Sequence, residues 1–272
     1  MKKIPYGISD FRKIKLEHRY YIDKTHFIPK LELMPDYIFF IRPRRFGKSL
    51  LLNMLSFYYD IAYQDEFNKV FEDTYILNNK TNEVNRYYIL KFDFSAISIK
   101  GDLDDNFSYY CNLKIIFFIK KYKLNLQIYE NYPAHKNLDK LFEYCRYENI
   151  PIYIFIDEYD NFINSIFMDS EDDYKKIINS KDNAIIYKEF FKLLKSGTSD
   201  NDSALKKMFI TGVSPLALFD MLVEEMKSVK KTRDDIVKEM REHKKKRAEY
   251  QSQGKSLIQA KRKQKDMYKG NV

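Results

Sequence analysis

Tryptophan is absent from this chain of 272 residues, and cysteine, glycine and proline are scarce, at 2, 7 and 7 copies. The two cysteines, Cys111 and Cys145, form neither a disulfide framework nor a metal-spaced cluster. That excludes a cysteine-stapled secreted scaffold and points to a reduced, cytoplasmic compartment. His18, His26, His135 and His243 lack any metal-ligand spacing and read as ordinary surface or core residues. Long apolar runs are missing as well. The densest, residues 115–119 (IIFFI), falls far short of the roughly 20 residues of a spanning helix, so no membrane span is expected. Lys2 and Lys3 resemble the start of a secretory leader, but Pro5, Gly7 and Asp10 occupy its apolar stretch, so no leader is expected.

What is present is a globular composition, 44% hydrophobic, with enough length to bury one sizeable core. The 23 Tyr and 21 Phe residues read as a compositional bias without mechanistic content. The net charge of +9 is unevenly distributed. Residues 221–272 hold 16 Lys and Arg against 8 Asp and Glu, a net of +8, leaving 32 against 31 in residues 1–220. The basic character therefore belongs to the C-terminal segment and not to the globular part.

Up to residue 220, short apolar runs alternate with helical patterns. Tyr37–Ile41 is a continuous apolar run, as expected of a strand buried on both faces. Residues 88–94, 152–156 and 207–211 read as three further strands, the last stopped by Gly212. Residues 50–59, 107–122, 138–147 and 186–194 read as helices. The alternation predicts an α/β fold with a mainly parallel sheet covered by helices on both faces.

Beyond Asp220, residues 221–250 contain no Gly or Pro and are rich in Lys, Arg and Glu. Leu222, Met226, Val229, Arg233, Ile236, Met240, His243, Arg247 and Tyr250 recur at steps of four and three, a coiled-coil period. Three of these nine are charged or His, which favours a solvated basic helix, followed by a disordered tail over residues 251–272.

The strand at Tyr37–Ile41 runs into Arg42-Pro-Arg-Arg-Phe-Gly-Lys-Ser49, a phosphate-binding pattern G-x-x-x-x-G-K-[ST] with Arg42 in place of the first glycine. Gly47 allows close backbone approach to phosphates, and the start of the following helix, through Arg44, Arg45, Phe46, Gly47, Lys48, Ser49 and Leu50, offers N–H groups and a positive dipole end. Lys48 reaches terminal phosphates and the Ser49 hydroxyl suits Mg²⁺. Gly-Lys-Ser recurs at Gly254-Lys-Ser256, where no buried strand precedes it, and that copy reads as chance. Arg44 and Arg45 suit a phosphate or an acidic partner, and equally suit a solvated loop.

A nucleotide hydrolase also needs an acid at the end of a neighbouring buried strand. Residues 152–156 end in Asp157 and Glu158: Asp157 as the magnesium-side acid, Glu158 as the group that polarises water. Ionised groups at a core boundary are costly unless paired or metal-bound, which raises the weight of this pair. Thr211, at the end of the next strand, is a candidate γ-phosphate sensor, with Ser214 second; a Thr before Gly is also an ordinary strand ending. Together these features predict a P-loop NTPase three-layer sandwich over residues 1–220 and a basic helix and tail over 221–272.

Pro5-Tyr-Gly-Ile-Ser-Asp-Phe11, Tyr21-Ile-Asp-Lys-Thr25, Phe40-Ile-Arg-Pro-Arg-Arg-Phe-Gly-Lys-Ser49, Leu90-Lys-Phe-Asp-Phe-Ser95, Ile156-Asp-Glu-Tyr-Asp160 and Phe209-Ile-Thr-Gly-Val-Ser-Pro215 occur in this order. Over residues 4–220 the chain resembles the bacterial AAA-ATPase-like family, in which an ATPase domain commonly precedes a restriction-endonuclease-like domain. The resemblance accounts for Arg42, since R-P-R-R-F-G-K-S is the family's form of the turn. It implies ATP and Mg²⁺ as ligands, with Gly47, Lys48 and Ser49 on the phosphates, Asp157 on the magnesium side and Glu158 as the catalytic acid residue beside Lys48. It also suggests an adenine contact near Asp23-Lys-Thr25.

After Pro215 the similarity stops, and neither the later strand and helical lid nor a nuclease domain is recognisable, so the chain reads as an incomplete ATPase domain. Glu225-Met-Lys227 is best read as a chance nuclease-like triplet. The expected function is ATP binding with weak Mg²⁺-dependent hydrolysis. Two alternatives stand beside it: a non-hydrolysing nucleotide-binding module, and nucleic-acid binding through Lys244-Lys-Lys-Arg247 and Lys261-Arg-Lys263. Oligomerisation is left open.

Overall fold

Runs rich in β-branched and aromatic residues form four strands: β1 (Tyr37–Ile41), β2 (Tyr88–Asp93), β3 (Ile152–Asp157) and β4 (Leu205–Gly212). In the computed structural model, which describes residues 3–162, 164, 185–199 and 202–213, they pair into one parallel sheet of order β1-β4-β3-β2. Parallel pairing puts the C-terminal ends of all four strands at the same edge. There Ile41 pairs with Gly212, and Asp93 with Asp157.

Strand β3 is buried at every position, and its residues divide by the two-residue period of a strand. Ile152, Ile154 and Ile156 enter one core with Phe107, Leu138 and Phe190. Tyr153 and Phe155 enter the other with Leu52, Leu55 and Tyr59. The first core lies under α6 (Leu103–Lys121), α7 (Ala134–Tyr147) and α8 (Ile185–Ser199); the second lies under α1 (Phe11–Leu16) and α3 (Lys48–Tyr59), with the short α2 (Ile28–Leu31), α4 (Phe67–Val70) and α5 (Tyr75–Asn78) around them. Helices thus cover both faces, as the alternating pattern requires.

Three sequence expectations need correction. Strand β1 is not buried on both faces: only Ile38 is buried and Phe39 is 42% exposed. Among the described residues β1 has a single neighbour, β4, so it forms the sheet's edge. Strand β4 does not stop before Gly212, because Gly212 still pairs with Ile41. Strand β2 ends at Asp93, whose side chain accepts from Ser95 N at 3.0 Å and turns Phe94 into a short 3₁₀ turn.

Caps explain where the helices begin and stop. Asp102 accepts from Asp105 N at 2.8 Å and starts α6 four residues ahead of the apolar pattern. Asp60, buried at the end of α3, accepts from Ala62 N and Tyr122 Oη, both at 2.9 Å, and pairs with Lys121. It thereby ties the end of α3 to the end of α6. Among the described residues no helix is long and apolar enough to cross a membrane. Ser214, the coiled-coil-like stretch, the second Gly-Lys-Ser copy, Glu225-Met-Lys227 and the two basic clusters lie outside the described residues.

Candidate functional site at the C-terminal edge of the sheet

The loop from β1 to α3 is exposed from Arg42 to Gly47, with Arg44, Arg45 and Phe46 at its surface. Arg42 N donates to Gly212 O at 3.1 Å, which fixes the start of the loop to the end of β4. Gly47 sits in the left-handed region at φ 74° and caps α3. A Cβ there would meet nothing within 4 Å, so glycine serves the backbone conformation and not a lack of space. Arg45 is also left-handed, at φ 68°.

Among the described residues no side chain caps the N-terminus of α3, so none of them supplies a capping acceptor to its first N–H groups. Lys48 follows directly and is buried; its Nζ donates to Pro43 O at 3.4 Å, back into the loop. Ser49 and Leu50 are half-buried beside it.

At the end of β3, Asp157 is buried and accepts at Oδ1 from the Thr211 hydroxyl, itself fully buried, and from Glu158 N at 3.1 Å. Thr211 comes within reach because β4 lies between β1 and β3. Glu158 takes a left-handed backbone, φ 48°, at the strand exit. Burial pushes its carboxyl above the ordinary range; Asp157 and Asp93 add to the rise, while Lys48 and Arg44 pull against it. The charge field therefore links the loop after β1 to the acids after β2 and β3.

The fold brings several further residues here, beyond the candidate phosphate and metal ligands. Lys91, in the middle of β2, donates from Nζ to Asn53 Oδ1 at 2.6 Å, and Asn53 Nδ2 donates to Ser49 O at 2.8 Å. This short chain braces the first turn of α3 from the sheet. Burial lowers the Lys91 amine's proton affinity, and Asp157 and Asp93 oppose that. A lysine between Leu90 and Phe92 in an apolar strand was the visible signal. Asp160, also buried, accepts from Val213 N at 3.0 Å, and Tyr159 N donates to Thr211 O at 3.0 Å. The turn after β3 and the end of β4 are thus one hydrogen-bonded unit.

Asp23 and Thr25 have a structural task. Asp23 accepts from Thr25 N at 2.8 Å and Tyr75 N at 2.7 Å, and Thr25 Oγ1 accepts from Ile76 N at 3.2 Å. They anchor the start of α5.

An uncapped helix start beside a buried ammonium suits the oxygens of a phosphate chain. A hydroxyl and a carboxylate, Ser49 and Asp157, suit a hard cation that keeps most of its water. Among the described residues there is no cluster of three or more His, Cys, Asp and Glu side chains able to hold a metal by itself.

The chain is 48% identical over 56 residues to the uncharacterized protein in vnfD 5'region of Azotobacter chroococcum mcd 1; the match covers 20% of this chain and 11% of that protein. No solved structure matches. The family model described as "Predicted AAA-ATPase" matches residues 5–222, most of the chain, and the protein belongs to this AAA-ATPase-like family.

Proposed function

We propose that this protein binds ATP with Mg²⁺ at the C-terminal edge of its sheet and hydrolyses it slowly. The observation that carries the reading is the convergence of the uncapped α3 start, with buried Lys48, and the Asp157–Thr211 pair on strands whose ends share one edge. Family membership and the strand order support a P-loop NTPase architecture for residues 1–220.

In this reading the N–H groups from Gly47 to Leu50 bind phosphate oxygens, and Lys48 neutralises the terminal phosphates. Arg44 and Arg45 lie at the loop surface, where they reach the outer phosphate charge. Ser49 and Asp157 would hold Mg²⁺, which supplies charge neutralisation across the phosphates. Thr211 orients Asp157 through their hydrogen bond, so that the carboxylate keeps one fixed face towards the site. Glu158, beyond the strand end, accepts a proton from or orients the attacking water. Its raised proton affinity makes it a better base than an ordinary surface glutamate once ionised.

The test is a nucleotide titration with and without Mg²⁺. Wild type is expected to bind ATP, Lys48→Ala to lose at least about tenfold in affinity, and Glu158→Gln to bind without turnover. Equal binding by wild type and Lys48→Ala would sink the proposal.

A further inference from the structure

Helix α6 is apolar on two sides. Its inner side packs Phe107, Cys111, Ile115, Phe118 and Ile119 into the core. On the outer side Tyr109, Leu113 and Phe117 are 62%, 41% and 69% exposed. They follow one another at four-residue steps and so form one continuous ridge along the helix. Asp105, one step earlier, and Lys120, near the far end, are exposed too. Scattered single apolar side chains on a surface need no explanation, but a continuous ridge of three does. Asp105 in the first turn and Lys120 in the last turn complement the helix dipole and also flank this ridge with opposite charges.

We propose that this ridge is a two-fold contact between two copies of the chain, with their α6 helices antiparallel and Leu113 near the axis. The pattern complements itself in that arrangement. With a rise of about 1.5 Å per residue, Asp105 lies about 12 Å to one side of Leu113 and Lys120 about 10 Å to the other. Antiparallel pairing about Leu113 therefore sets each Asp105 opposite Lys120 of the second copy, and each Tyr109 opposite its Phe117. A parallel pairing would set acid against acid and base against base.

The neighbouring charges are already committed within the chain. Asp104 accepts from Ile186 N at 3.3 Å, and Lys121 pairs with Asp60. Asp105 and Lys120, by contrast, form no ion pair within the chain among the described residues. An isologous contact needs only one surface that fits itself, and near-antiparallel alignment at about 20° keeps the charged ends within reach of each other. A single helix face lies at the small end of interface sizes, below about 1,200 Å², so the dimer is weak and concentration-dependent.

Sedimentation velocity on the full chain across a hundredfold concentration range tests the inference. Wild type is expected to shift from monomer to dimer. Leu113→Glu should hold it monomeric, and Asp105→Lys, its fold checked by circular dichroism because the change puts a cation in the first turn of α6, should weaken the dimer about tenfold. Combining Asp105→Lys with Lys120→Asp should restore the dimer, because the swap re-creates the pair between copies. A wild type monomeric at every concentration overturns the proposal. So does a dimer indifferent to Leu113→Glu, or a charge swap no better than Asp105→Lys alone.

Discussion

The buried Thr211 hydroxyl donates to Asp157 Oδ1, joining the ends of two neighbouring parallel strands at the candidate site. The same Oδ1 also accepts from Glu158 N at 3.1 Å. The carboxylate orientation at the end of β3 is therefore set partly by a side chain more than fifty residues later.

Thr211→Val keeps the shape and removes that donor. A buried carboxylate that loses a hydrogen-bond partner costs about 1–3 kcal/mol, so the urea midpoint should fall. If Asp157 serves the magnesium side, the benefit of Mg²⁺ for ATP binding should shrink more than Mg²⁺-free nucleotide affinity does. Isothermal titration with and without Mg²⁺ separates the two effects.

Glu158 carries a raised pKa, chiefly from burial and then from Asp157 and Asp93. A group whose folded pKa is raised contributes its stability below its ordinary 4.5 and loses it as pH rises through the raised value. Glu158→Gln, neutral throughout, should therefore gain stability relative to wild type as pH rises through that window. In turnover, the acidic limb of the rate profile should lie above the ordinary glutamate range, and Asp93→Asn should move it to lower pH. A profile unchanged by Asp93→Asn contradicts this assignment.

Lys91→Met removes the 2.6 Å bond to Asn53 and with it the brace on Ser49 O. It also removes an ammonium that burial disfavours. Global stability is expected to change by less than about 1 kcal/mol, since the lost hydrogen bond and the relieved burial oppose each other. ATP affinity is expected to fall several-fold. A large loss of stability with unchanged affinity would show the brace to be structural only.

Gly212→Ala places a Cβ 2.3 Å from Tyr159 Cε1, 2.5 Å from Tyr159 Cδ1 and 2.9 Å from Asp160 Oδ1. The Tyr159 ring is fully buried and Asp160 nearly so, so neither moves away freely. Overpacking of this kind costs about 1–3 kcal/mol. Thermal unfolding should report a lower Tm, and nucleotide binding should weaken with it, because Gly212 O holds Arg42 N at the start of the loop.

Local chemistry makes much of the site legible in the sequence. A short apolar run, then Gly-Lys-Ser, then an unbroken helical pattern marks a strand, a turn and a helix; all three are present at Tyr37–Ile41, residues 42–47 and Lys48–Tyr59. The run that ends in Asp157 is a strand, Ile152–Asp157, buried at all six positions. Burial at β1 is where local pattern misleads. Five apolar residues suit a central strand, but Phe39 is open because of where β1 falls in the sheet order, and a local run carries no information about its neighbours.

The sequence by itself determined the α/β alternation, the strand, turn and helix around Gly47-Lys-Ser49, the acids at the end of β3 and the family. Each is read from local patterns of a few residues, or from the order of several such patterns along the chain, where spacing and side-chain type suffice. Tertiary structure alone decided that β4 lies between β1 and β3, so that Thr211 meets Asp157, and that Lys91 reaches Asn53 under α3. It also gave Asp23 and Thr25 the task of anchoring the start of α5. Each of these is a contact between residues distant in sequence, set by strand order and helix packing. No local periodicity encodes which strand lies beside which.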